Sequence, residues 1–113
     1  MQSSSLESSL IISTSPISSA QSLAHFLIQN RYAACVNIVP KITSIYLWKD
    51  EVCEDQEALL LIKTSQQRLG ECIEALKDQH PYDVPEMISF PIDTQNSLTA
   101  YLQWIQTTTS PSS

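Results

Sequence analysis

Apolar positions recur along the chain with two spacings, and the alternation between them predicts the order of elements. Leu10-Ile11-Ile12 is a short continuous run suited to a strand buried on both faces. Ser15-Pro16 then introduces a helix in which Ala20, Leu23, Ala24, Leu27 and Ile28 fall at i, i+3, i+4, i+7 and i+8, a single apolar stripe. Ala33 to Trp48 is rich in Val, Ile, Tyr and Trp and predicts a long strand, with Pro40 marking a bulge or an edge position. Lys49-Asp50 supplies a tight turn. The return strand ends in Ala58-Leu59-Leu60-Leu61-Ile62.

Thr64 and Gln67 have the spacing of a capping box, which predicts a second helix whose Leu69, Cys72, Ile73 and Leu76 share one face. Gly70 weakens that helix by about 1 kcal/mol relative to alanine. His80 lies four residues past Leu76 and continues the buried stripe. Met87 to Ile92 reads as a further strand. Ser97 is placed to cap a last helix, with Leu98, Tyr101, Leu102 and Ile105 as its stripe. Trp104 on that helix is positioned to pack against the sheet or a neighbouring chain. The order β-α-β-β-α-β plus a C-terminal helix is the split βαβ arrangement, an α+β fold with an antiparallel sheet and helices on one face. Such a sheet leaves its other face bare and its central hairpin long, and both features point to self-association.

Length and composition narrow the possibilities further. With 113 residues and a 42% apolar share the chain is one domain, spanning 10–107 between a flexible N-terminal segment, 1–9, and a flexible tail, 108–113, both rich in Ser and Thr. A net charge of -6 excludes nucleic acid and anionic membrane surfaces as expected partners, because both require a basic face. No signal-like or membrane-spanning apolar run is visible, so the cytoplasm is the expected compartment. Cys35, Cys53 and Cys72 are odd in number, lack CxxC spacing and read as free thiols, consistent with that compartment. Nucleophilic catalysis finds no G-x-S-x-G elbow, and His25 lies in the first helix, away from the other histidine; the one glycine gives no phosphate-cradling loop. The expectation is a protein that is not an enzyme.

The stretch HPYDVPEM, His80 to Met87, gathers a histidine, a tyrosine and two acids between two prolines. A neutral imidazole at His80 is a ligand for Cu(II), Ni(II) or Zn(II), with oxygens from Asp83 and Glu86. The other reading of His80 is a ring bonded to backbone at a helix end. Cys35 would suit Cu(I) as a thiolate, or it packs as a small apolar residue. Asp50, Glu51, Glu54, Asp55 and Glu57 put five acids in eight residues, a solvated hairpin tip with weak cation attraction as its functional alternative.

AACVN (Ala33 to Asn37), SIYLWKDEVCEDQEALLLIKTS (Ser44 to Ser65), HPYDVPEM and YLQWI (Tyr101 to Ile105) together resemble the CutA divalent-cation tolerance family, in order and spacing, over residues 10–107. The resemblance implies a ferredoxin-like fold assembled as a homotrimer, similar in architecture to PII signalling proteins. It also implies a cytoplasmic role in tolerance of copper and other divalent cations, with copper or another divalent cation bound at His80, and no settled enzymatic reaction. Gln79 and Ser13 stand where some members carry a histidine and a cysteine, and Asp50 where many carry glycine. An inter-subunit cleft lined by Tyr46, Trp48, Lys63, Tyr82 and Glu86, with Glu57 as a further polar group, is the alternative site, suited to small-molecule sensing.

Overall fold

The computed structural model describes residues 5–111. Eight main-chain segments follow one another: β1 (Ser8–Ser15), a single 3-10 turn (Ile17–Ser19), α1 (Ala20–Gln29), β2 (Cys35–Trp48), β3 (Glu51–Ser65), α2 (Leu69–Gln79), β4 (Met87–Pro91) and α3 (Thr99–Thr109). The strands form one antiparallel sheet in the order β2-β3-β1-β4, the split βαβ arrangement that the periodicities predict.

The even positions of β3 build the core. Ala58, Leu60 and Ile62 are fully buried and pack with Ile11 of β1 against Leu23 and Leu27 of α1 and Cys72 and Leu76 of α2. The 3.6-residue stripes of both helices therefore meet the period-2 face of the central strands. Ile28, expected on the α1 stripe, is 38% exposed at its margin. A second cluster of Ala34, Leu102 and Ile105, with Leu6 and Ile92, seats α3. Leu98 precedes that helix and is exposed, so it is not part of the apolar stripe. Trp104 stays half-exposed and stacks on Tyr101 with ring centroids 5.4 Å apart.

The β2–β3 hairpin follows its predicted geometry. Lys49 and Asp50 both have positive φ, 51° and 66°, as a two-residue turn with primed geometry demands. A bulge between Val39 and Ile42 accommodates Pro40, which has no N–H for the ladder. Both predicted helix caps are absent. Thr64 is buried within β3 and donates its hydroxyl to Tyr32 O at 2.6 Å, so α2 begins only at Leu69 without a side-chain cap. Ser97 likewise makes no cap for α3.

β1 begins at Ser8, earlier than its apolar letters suggest, because Ser9, Ser13 and Ser15 are buried with bonded hydroxyls. Ser8 and Ser9 thus belong to the sheet, and α3 extends through Thr109; the ends of the expected flexible segments, 1–4 and 112–113, lie outside the described residues. Outside its chain neighbours and its own helix backbone, nothing lies within 4 Å of where a Cβ on Gly70 would sit, and its φ is not positive. Gly70→Ala is therefore expected to raise unfolding free energy by about 0.5–1 kcal/mol in urea titrations.

Candidate functional site

Pro81 ends α2 by excluding helical backbone from the residue before it, and His80 adopts φ -75°, ψ 137°. The extended turn folds the imidazole inward, where it is 8% exposed. The Tyr82 backbone N–H donates to His80 Nδ1 at 3.1 Å. That nitrogen must therefore be the unprotonated one, and Nε2–H donates to Thr14 O at 2.8 Å. Both ring nitrogens are used inside the chain, leaving no free lone pair for a metal ion. Of the two readings of His80, the backbone-bonded one describes this geometry.

Tyr82 is held against the His80 ring, centroids 4.9 Å apart, and its hydroxyl donates to Glu57 Oε2 at 2.7 Å. Glu57 is 8% exposed, an unusual depth for a carboxylate. On the neighbouring strand Tyr46 donates its hydroxyl to Asp55, a diagonal cross-strand pair fixed by the hairpin register. Ser13 Oγ donates to Glu86 O at 2.7 Å and ties the start of β4 to β1, so a serine at this position serves as an anchor.

These contacts frame an open cleft of about 560 Å³ between the β2–β3 hairpin and the HPYDVPEM segment. Tyr46, Trp48 and Tyr82 form its aromatic walls, and Glu57, Asp55, Asp83 and Glu86 its carboxylates; Thr14 and Val84 complete it. Four of the five residues expected in a ligand cleft, Tyr46, Trp48, Tyr82 and Glu86, thus lie together. Lys63 does not join them. It shares a face of β3 with Glu57 but lies six residues along, about 20 Å away at strand rise. Its ammonium instead bonds Asn37 and lies 3.9 Å from Cys35 Sγ.

The four residues considered as metal ligands are not assembled within the chain. Asp83 and Glu86 line the cleft, His80 is spent on backbone, and Cys35 sits at the far end of β2. Among the described residues no group of three or more His, Cys, Asp and Glu is placed to hold an ion. Cys72 is sealed in the core, where burial pushes its thiol up to about 12.

Sequence reasoning alone treats Asp55 as one acid in a solvated run and passes over Thr14 and Val84. The signal for Asp55 is the hairpin register: a two-residue turn at Lys49-Asp50 sets Tyr46 opposite Cys53 and diagonal to Asp55. The acid–phenol contacts also predict an alkaline response. The Asp55 hydrogen bond raises Tyr46 to about 12, and burial followed by the Glu57 hydrogen bond raises Tyr82 further. Both folded values exceed the ordinary 10.0, so their stabilising contribution is complete below pH 10 and is lost as pH rises through the folded values. Spectrophotometric tyrosinate titration should show these two phenols ionising late in native protein, and Tyr46→Phe should remove one late step.

The family model for the CutA1 divalent ion tolerance protein matches residues 9–108. A divalent-cation tolerance protein CutA from Thermus thermophilus is 48% identical over 90 residues, covering 80% of this chain and 85% of its own. The chain spans about half the length of the mammalian CutA proteins that it matches. The solved Cut A1 structure from Thermus thermophilus superposes with TM-score 0.85 at 42% identity, over 91% of this chain and 99% of that one. A structure described as the PII-like protein CutA from Nostoc sp. PCC 7120 in apo form gives TM-score 0.87 at 29% identity, over 92% and 99%. With the sheet order, the hairpin and the HPYDVPEM turn in place along the matched length, this chain belongs to the CutA divalent ion tolerance family.

Proposed function

We propose that the chain serves divalent-cation tolerance as a ligand-responsive homotrimer, with the acid–aromatic cleft as its binding site. The cleft itself carries this reading: three aromatic side chains and a buried carboxylate converge on one concavity, held by a histidine strut that has no other visible task. Small-molecule sensing of the PII kind is the mode that such a cleft supports. A copper role through the HPY segment has less support, because only the oxygens of Asp83 and Glu86 are open there.

Assembly is supported by the second face of the sheet. Ile88 and Phe90 of β4 are half-exposed, and Leu10, Ile12, Leu59 and Leu61 are only partly covered. At the hairpin tip Ile45, Leu47 and Val52 are 66%, 67% and 75% exposed, more apolar surface than a monomer ordinarily tolerates. Glu57 lies on the same β3 face as Leu59 and Leu61, so an assembly built on that face would flank the cleft. The cytoplasm is the compartment that suits three free cysteines, and no described helix is long and apolar enough to cross a membrane.

Native mass spectrometry of metal-stripped protein, repeated with one equivalent of Cu(II) per chain, tests this reading. The expected spectrum is three chains without a defined copper count. A fixed number of copper ions that disappears in His80→Ala would restore the copper site and displace the cleft.

A further inference from the structure

Glu57 is a charge problem that the chain does not solve by itself. It is 8% exposed, and it is the deepest of the carboxylates in the cleft. Buried carboxylates ordinarily have a cationic partner, because the desolvation cost is large. Here Oε2 accepts one hydrogen bond, from a neutral phenol, and Oε1 accepts none from the described residues and is not sealed off, on a residue that lines the cleft. The only ion pair among the described residues is Arg68 with Glu71, far from this site. Among the described residues no Lys, Arg or His lines the cleft, while Asp55, Asp83 and Glu86 add negative charge.

We infer that the cleft takes an organic cation, a small alkylammonium or quaternary ammonium group seated over Trp48 and the two tyrosines with its charge toward Glu57. The inference rests on the cleft being the ligand site and deepens that proposal by fixing the charge class of the ligand. Two features favour an organic cation over a bare metal ion. The acidic groups are not gathered as a set of three or more that could hold an ion. Indole and phenol faces attract soft, weakly hydrated cations, and they do so most strongly when water is excluded. Trp48 is 57% exposed and Tyr46 42%, so both rings present surface for a ligand to cover. Anions such as nucleotides find no positive group among the described lining residues to offset the four carboxylates.

The test is calorimetric titration of the full assembled protein with choline, with butylammonium, with the neutral carbon isostere of choline, and with adenosine monophosphate as an anion. The expected result is saturable binding of the cations, with choline preferred over its isostere by about tenfold or more, the scale of a desolvated cation–π contact. Glu57→Gln should lower choline affinity by about tenfold and leave the isostere unaffected. Trp48→Ala, at a position more than half exposed in the single chain, should lower choline binding in the same way while native mass spectrometry shows the assembly unchanged.

Equal or stronger binding of the isostere or the nucleotide would overturn the charge inference while leaving the cleft as a ligand site. If none of the four probes binds, both the inference and the cleft reading fail, as they would if a second copy of the chain already fills the cleft.

Discussion

Leu60→Ala is expected to lower unfolding free energy by about 3 kcal/mol, near the middle of the range for truncating a fully buried leucine. Leu60 is inaccessible to solvent at the centre of β3, between the ladders to β2 and β1, and packs beneath both α1 and α2. The sheet cannot easily collapse into the space, because β3 is held on both edges. Losses of that size are a large fraction of the stability of a domain this small. Urea titrations of native and variant protein at one fixed chain concentration, with equal m-values, would measure it. A change below about 1 kcal/mol would mean that β3 is not the centre of the core.

His80→Ala should have an effect of similar size, about 2–4 kcal/mol, for a different reason. The substitution removes a buried ring and leaves the Thr14 carbonyl and the Tyr82 N–H without their partners. It also releases Tyr82 from the stacking contact that aims its hydroxyl at Glu57. Two readouts should therefore move together: the urea midpoint falls, and the late ionisation of Tyr82 shifts toward that of a free phenol. Tyr82→Phe should abolish the second effect with a smaller stability loss, since the His80 contacts use the Tyr82 backbone. A His80→Ala variant as stable as the native protein would remove the strut.

Much of the fold is readable in the sequence because two periodicities carry it. Leu23, Leu27, Cys72 and Leu76 mark helix faces, and the alternation Ala58, Leu60, Ile62 marks the strand face that they meet. What escapes is polar burial. Ser9, Ser13 and Ser15 read as loop-like residues, yet they are buried in β1 and their hydroxyls bond Gln66, Glu86 and Pro16, which flank the strands. Thr64 has capping spacing, but a buried carbonyl at Tyr32 claims its hydroxyl first. For Ser9, Ser13 and Thr64 a long-range partner decides the role of the group, and local spacing does not encode it.

The candidate site is legible to a similar extent. Aromatic and acidic letters around Tyr46, Trp48, Tyr82 and Glu86 suggest a cleft, and the hairpin and the HPYDVPEM turn bring them to one concavity. Lys63 is misplaced because it has the correct face of β3 and the wrong height along it. The dual bonding of His80 is invisible in sequence, since its partners are the carbonyl of Thr14 and the amide of Tyr82, groups that every such residue carries. That hidden bonding turns a plausible ligand into a structural strut and moves the expected chemistry to the cleft.

The most direct measurement of this claim is a long-range proton–nitrogen NMR spectrum of isotope-labelled histidine, recorded on metal-stripped protein and again with one equivalent of Zn(II). His80 is predicted to show the Nε2-protonated tautomer with an accepting Nδ1, unchanged by zinc. Loss of the Nε2 proton, or a metal-shifted ring nitrogen at one equivalent, would contradict it and make His80 a metal ligand.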